Sequence, residues 1–260
     1  GGEPLIRKDI IRLIKSLSDI PTIEDLSMTT NGILLDEFAF ELKKAGIKRL
    51  NISLDSLNED RYKFITRFGS LKLVKNGIKK AMDAGFSLLK INVLLLAGIN
   101  ESEFTDFFKL SQDFPIHVRF LELMPVGNSS FFDNNHFVSS EEVMKLCNKF
   151  SPIEQVSLYG NGTARTFRFK GALGTIGFIA PISNKFCSSC NRLRLTSDGF
   201  LKGCLHSDSK VNLRDPIREG IFEEELVQLI KLAVNTKPRE HSLDKNTIQF
   251  SEYLMCQIGG

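Results

Sequence analysis

Ile6, Ile10, Ile11, Leu13 and Ile14 recur near helical spacing and Pro4 suits a first helical turn, so Pro4–Ile20 is expected to form a helix. Short apolar or β-branched runs at 26–30, 49–54, 88–96 and 117–123 read as strands. Amphipathic segments near 36–45, 71–84 and 101–111 separate them, with Gly46 and Gly85 placed to close two helices. Strand alternating with helix up to about residue 125 predicts βαβ units and a parallel sheet.

Such sheets and barrels bind ligands at the carboxyl ends of their strands. The loops there are Gly1-Gly2-Glu3-Pro4, Thr29-Thr30-Asn31-Gly32, Ser53-Leu54-Asp55-Ser56 and Glu122-Leu123-Met124-Pro125. Each alone reads as turn chemistry, but together on one rim they point to a site. After Pro125 the texture changes: residues 126–137 are rich in Gly, Asn and Ser, as a linker would be. A second, smaller module is expected beyond it. It would hold a helix near 139–150, antiparallel strands within 153–182, and helices near 213–219 and 223–234.

Composition changes this picture little. With 42% apolar and 25% charged residues, 19 Gly and 8 Pro, the 260-residue chain has the usage of a folded protein and not of a disordered one. The formal charge of +3 gives no argument for nucleic acid. No apolar stretch reaches the roughly 18 residues of a membrane span. Five cysteines with no secretory signal favour a reducing, cytoplasmic setting over a disulfide framework.

The cysteines carry the strongest chemistry. Cys187 and Cys190 are spaced to grip one metal centre, and Cys204 can return to it from a hairpin through Asp198-Gly199. With His206 the set could make a structural zinc site; alone it could hold a [4Fe-4S] cluster with one open iron, and spacing does not choose. Arg192 and Arg194 follow at alternate positions, either as a solvated strand face or as a bidentate grip on a phosphorylated ligand. Lys90 and Arg119 are cations inside strands, costly unless they face a polar cavity, although Arg119 could instead pair with Glu122. Cys147 and Cys256 read as ordinary buried residues.

These motifs together resemble the molybdenum cofactor biosynthesis protein A family, the GTP 3',8-cyclases among radical S-adenosylmethionine enzymes. The resemblance rests on Gly1-Gly2-Glu3-Pro4, Thr29-Thr30-Asn31-Gly32, 51–56, 119–127, the cysteine block with 191–194, and terminal Ile258-Gly259-Gly260, in family order from residue 1 to 260. Lys237-Pro238 and His241 resemble a late motif. What the resemblance implies is an α/β fold: a partial (β/α)6 TIM-like barrel over 1–126 and a smaller α+β domain over 127–260. Gly2, Ser53 and Met124 match positions that contact S-adenosylmethionine; Thr29, Lys90, Arg192 and Arg194, and more weakly Arg119, match GTP contacts. Cys187, Cys190 and Cys204 match the ligands of a C-terminal [4Fe-4S] cluster, leaving His206 a bystander, and Gly259-Gly260 a tail suited to a crowded pocket.

The implied chemistry is reductive cleavage of S-adenosylmethionine, hydrogen abstraction from C3' of GTP and closure onto C8, giving (8S)-3',8-cyclo-7,8-dihydroguanosine 5'-triphosphate. Implied partners are GTP, an electron donor, cyclic pyranopterin monophosphate synthase downstream and, as an option, a second copy in a homodimer; nucleic acid and membrane are not among them. Two other classes remain: a radical enzyme with an auxiliary cluster acting on a peptide, and a nucleotide-binding module stapled by zinc. One departure stands out. The family's first cluster sits on a Cys-x3-Cys-x2-Cys loop upstream of Gly-Gly-Glu-Pro, and this sequence holds no such triplet. The expectation is therefore a fragment of the cyclase, unable by itself to cleave S-adenosylmethionine, whose second [4Fe-4S] cluster belongs to the absent N-terminal region.

Overall fold

The computed structural model describes residues 2–124, 136–157 and 163–243. They fall into two compact units, one of Glu3–Leu123 with Asn135–Ala180, the other of Pro181 onward with Gly1–Gly2 and Met124–Asn134.

The larger unit is built on a seven-stranded sheet. Its strands are β1 (Ser27–Thr30), β2 (Arg49–Ser53), β3 (Leu89–Leu95), β4 (Ile116–Glu122), β5 (Ile153–Gln155), β6 (Arg165–Phe169) and β7 (Thr175–Ile179). The order is β1-β2-β3-β4-β7-β6-β5, with β1 to β4 and β7 parallel and β7-β6-β5 antiparallel. Helices α1 (Ile10–Ser18), α2 (Leu35–Ala45), α3 (Glu59–Thr66), α4 (Leu71–Asp83), α5 (Phe104–Asp113) and α6 (Ser140–Phe150) connect them.

Alternation along the strands turns Leu50, Ile52, Leu89, Ile91, Val93, Ile116, Val118, Phe120, Ile176 and Phe178 into one core with Leu35, Leu42, Val74 and Phe104 of the helices. Phe120 is its centre, with the rings of Phe104, Phe107 and Phe108 edge-on at 5.6–6.3 Å and Phe178 stacked at 5.8 Å.

Several expectations shift. Pro4–Ile20 is not one helix: Glu3 caps a 3₁₀ turn at Pro4–Ile6, Arg7 is extended, and α1 starts only at Ile10. The helix expected from 101 opens as a 3₁₀ turn at Glu101–Glu103. Helix α3 escaped notice because, apart from Tyr62, it buries nothing. The strands expected in the second module pair into the first sheet, since β7 pairs parallel with β4, and residues 135–180 cluster with the larger unit.

The smaller unit pairs β8 (Arg194–Leu195), β9 (Phe200–Lys202) and β10 (Val211–Asn212) in an antiparallel sheet beside α7 (Arg214–Glu219) and α8 (Glu223–Asn235). Leu201, Leu213 and Ala233 form its core. The expected hairpin is present, with Gly199 at φ +88° in its turn. The tail residues Gly259, Gly260 and Cys256, and residues 125–127, lie outside the described residues.

At Gly174 a Cβ would collide with the Ile116 carbonyl and lie 2.8 Å from that of Phe114, both backbone atoms that cannot yield without moving the start of β4. Gly174→Ala is expected to lower stability by about 1–3 kcal/mol or more. Urea denaturation followed by far-UV circular dichroism checks this; an unchanged midpoint would contradict the packing.

Candidate functional site

Thr29, Asn51, Lys90, His117 and Thr175 are successive register partners across β1, β2, β3, β4 and β7. Two residues further on, Ser53, Asn92, Arg119 and Gly177 form a second row on the same face. The face that turns away from the helix-packed core is thus polar along both rows. It gathers four sequence-selected residues, Thr29, Ser53, Lys90 and Arg119, with four the sequence reading passed over: Asn51, Asn92, His117 and Thr175.

Hydrogen bonds knit the rows together. Arg119 donates from Nε to Asn92 Oδ1 at 2.8 Å and from Nη2 to Asn51 Oδ1 at 2.9 Å, and Asn51 Nδ2 donates to Thr29 Oγ1 at 3.4 Å. Glu122, three residues from Arg119 and so on the opposite face, is fully buried and accepts from the Ser140 amide at 2.9 Å where α6 begins. Lys90 is 9% exposed. Burial, then Arg119 and Arg49, push its amine down to about 8. Burial, then Lys90, Arg168 and Arg119, push His117 down to about 4, and its Nδ1 lies 2.6 Å from Thr175 Oγ1. The face therefore holds cations and neutral hydrogen-bonding groups, the complement of an anionic ligand.

The loops at the carboxyl ends of these strands are locked by a few polar side chains. The Glu3 carboxylate accepts from Thr30 Oγ1 at 2.8 Å, the Asn31 amide at 2.7 Å and the Leu5 amide at 3.1 Å, tying the Gly-Gly-Glu-Pro segment to the end of β1. Buried Asn100 donates to the carbonyls of Asp55 and Leu94 at 2.7 and 2.8 Å. Buried Glu103 accepts from Ser56 Oγ at 2.8 Å, the Leu57 and Asn58 amides, and Arg61 Nη1 at 2.9 Å. Asp55 accepts from the Leu94 amide at 2.8 Å, and burial pushes its carboxyl up to about 6. Gly2 has φ +70° with open space where a Cβ would stand, and Met124 is half-buried just past β4.

In the smaller unit Cys187 opens a 3₁₀ turn and Cys190 closes it, with Cys204 just after β9; all three are free, half-buried thiols. Arg192 and Arg194 are half-buried while Asn191, Leu193 and Leu195 are exposed, so the alternation places both guanidiniums inward. Only Arg194–Leu195 of the expected strand pairs. Lys237, which the sequence reading noted without a role, donates from Nζ to the carbonyls of Cys190 at 2.7 Å and Arg192 at 2.9 Å and lies 3.6 Å from Cys190 Sγ. Burial raises the Cys190 thiol, but the Arg192 amide, Lys237 and Arg192 outweigh it and hold it low, which favours thiolate. His206 packs edge-on against His241 at 4.9 Å. No three His, Cys, Asp or Glu side chains converge on one point among the described residues, so neither the three thiols nor a Cys3His set stands pre-assembled.

Comparison with known proteins divides the chain in two. Residues 1–111 match the radical SAM superfamily and residues 116–243 match the Molybdenum Cofactor Synthesis C family. Proteins named GTP 3',8-cyclase from Moorella thermoacetica, Petrotoga mobilis and Listeria monocytogenes are 45%, 46% and 44% identical to it, each match covering all of this chain and 80% of the relative. A solved domain of pyruvate-formate lyase-activating enzyme from Bacteroides vulgatus aligns with 58% of this chain and 88% of its own, at TM-score 0.46 and 18% identity.

The His117 geometry has a consequence for stability. Its folded pKa lies below the ordinary 6.5, so between about 6.5 and 4 the unfolded chain binds the extra proton and stability falls as pH drops. His117→Asn is expected to reduce that loss by about 1.4 kcal/mol for each pH unit inside the window. Urea melts of both proteins at pH 7 and 4.5 measure it. Asp55 acts with opposite sign in both and cancels in the difference; equal slopes would mean that His117 is not held neutral.

Proposed function

The chain belongs to the GTP 3',8-cyclase family of radical SAM proteins, and from that membership we propose that it takes GTP to (8S)-3',8-cyclo-7,8-dihydroguanosine 5'-triphosphate, for molybdenum cofactor synthesis. The observation that carries the reading to these residues is the buried polar face with Lys90, Arg119 and Thr29, which suits a polyanion. The seven-stranded sheet is read as part of a (β/α)6 barrel, and the segment from 127 to 260 as a C-terminal domain. In the larger unit Lys90, Arg119 and Thr29 are assigned to GTP; in the smaller unit Arg192 and Arg194 are assigned to GTP by the family pattern. Ser53, Gly2 and Met124 are assigned to S-adenosylmethionine, and Gly259-Gly260 to the family's terminal tail.

Cys187, Cys190 and Cys204 would hold a [4Fe-4S] cluster: the donors are soft thiols without a disulfide, and Cys190 is held toward thiolate by Lys237 and Arg192. The one-electron chemistry would come from S-adenosylmethionine and the family's first cluster, whose Cys-x3-Cys-x2-Cys ligands are not in this sequence. What the chain itself supplies is placement and dryness. Glu3, Asn100 and Glu103 hold the rim loops rigid, and the cations fix the nucleotide so that its sugar is presented in one orientation. An electron donor, cyclic pyranopterin monophosphate synthase and a second copy of the chain are the proposed partners.

Arg192→Ala and Arg194→Ala are each expected to weaken GTP binding about ten- to a hundredfold, as loss of a charge-assisted contact does. Anaerobic titration calorimetry measures this, and unchanged affinity would overturn the assignment of the pair to GTP. Reconstitution with iron and sulfide followed by metal analysis tests the thiols, with about four irons per chain expected for a cubane cluster. One zinc without iron would favour a structural staple.

A further inference from the structure

On β6, Thr166 and Arg168 alternate with Phe167 and Phe169, and the two phenylalanines belong to the helix-packed core. Phe167 is the register partner of Ile176, so one step further sets Arg168 beside Thr175, on the polar face and in the row of His117 and Lys90. Its partner on the other side, Glu154 of β5, is exposed. The Nε of Arg168 is buried and has no hydrogen-bond partner. Neither Arg168 nor Lys90 belongs to an ion pair among the described residues. A buried Lys90 beside a half-buried Arg168 whose Nε is enclosed, with no carboxylate paired to either, is unfavourable unless an anion completes the site. Arg168 also stands near enough to His117 to help push its imidazole down.

We infer that Arg168, with Lys90 and the His117–Thr175 pair, forms a phosphate subsite near the amino-terminal ends of the parallel strands, and that Arg168 binds the outer phosphates of the triphosphate. Thr175 opens β7, and Lys90 and His117 are second in β3 and β4, so this row lies one step deeper than Ser53, Asn92 and Arg119. The inference rests on the nucleotide reading for its ligand, but the anion site itself stands on the row of Arg168, Thr175, His117 and Lys90.

The test is titration calorimetry of the chain with GTP, guanosine and sodium tripolyphosphate, comparing wild type with R168Q and R168K. R168Q is expected to weaken GTP and tripolyphosphate about ten- to a hundredfold while leaving guanosine unchanged, with R168K recovering part of the loss. Because the buried Nε of Arg168 has no partner and the side chain joins no ion pair among the described residues, R168Q is expected to melt no lower than wild type, which separates a ligand-binding role from a structural one. Tripolyphosphate bound equally by wild type and R168Q overturns the inference and leaves the nucleotide reading intact. Loss of tripolyphosphate binding in R168Q from a chain that never binds GTP overturns the nucleotide reading and keeps the anion site. No tripolyphosphate binding by wild type, or a lowered melting temperature together with an equal loss for guanosine, overturns the inference.

Discussion

The side-chain alternation of one parallel sheet governs the rest of the larger unit. Period two sends Leu50, Ile52, Ile91, Val118, Phe120 and Ile176 to the helices and leaves the intervening positions for the other face. In a closed barrel those inner positions are usually filled by branched apolar side chains. Here the two rows hold Thr29, Asn51, Ser53, Lys90, Asn92, His117, Arg119 and Thr175. Such a face cannot pack on itself without stranding charge, and its cations and hydrogen-bonding groups suit an anionic ligand. The large apolar contribution of the opposite face, dense with phenylalanine, is what tolerates the desolvation of Lys90 and Arg119.

A binding surface needs walls that do not drift, and loops are the mobile part of an α/β unit. Three polar side chains answer that need. Glu3, Asn100 and Glu103 each bond to backbone groups across loops that are distant in sequence, with Glu103 reaching back to residues 56–58 and Glu3 forward to residues 30 and 31. Each is a buried or half-buried carboxylate or amide whose hydrogen bonds reach backbone groups, and for Glu3 and Glu103 also side chains, across the rim, which fixes it more firmly than apolar contact could.

Much of this was legible in the sequence, for a stated reason. Strands at 88–96 and 117–123 were visible because apolar residues bracket them, and Lys90 and Arg119 stood out because a charge there contradicts its neighbours. His117, Asn51 and Thr175 were not legible, since polar residues near strand ends look like ordinary edges; only the register, which lines them up, reveals a row. The reach of β5 to β7 was hidden for a different reason. A long connection after β4 reads as a domain boundary, while the pairing of His117 with Thr175, fifty-eight residues apart, is a tertiary choice. In the smaller unit the spacing of Cys187, Cys190 and Cys204 was plain, but the Lys237 contacts to Cys190 and Arg192 span 45–47 residues and follow only from the fold.

The smaller unit applies the same electrostatic rule by other means. Arg192 and Arg194 turn inward where Leu193 and Leu195 turn out, reversing the usual partition of charge and hydrocarbon on a surface strand. A net charge of only +3 over 260 residues offers no general pressure for burying cations. Their inward placement beside thiols, with a third cation at Lys237 bonded to the Cys190 carbonyl, concentrates positive potential that holds Cys190 toward thiolate. The thiols and the cations are mutually stabilising, so the loop of Cys187 and Cys190 and the residues Arg192, Arg194 and Lys237 are best understood as one charge-balanced unit.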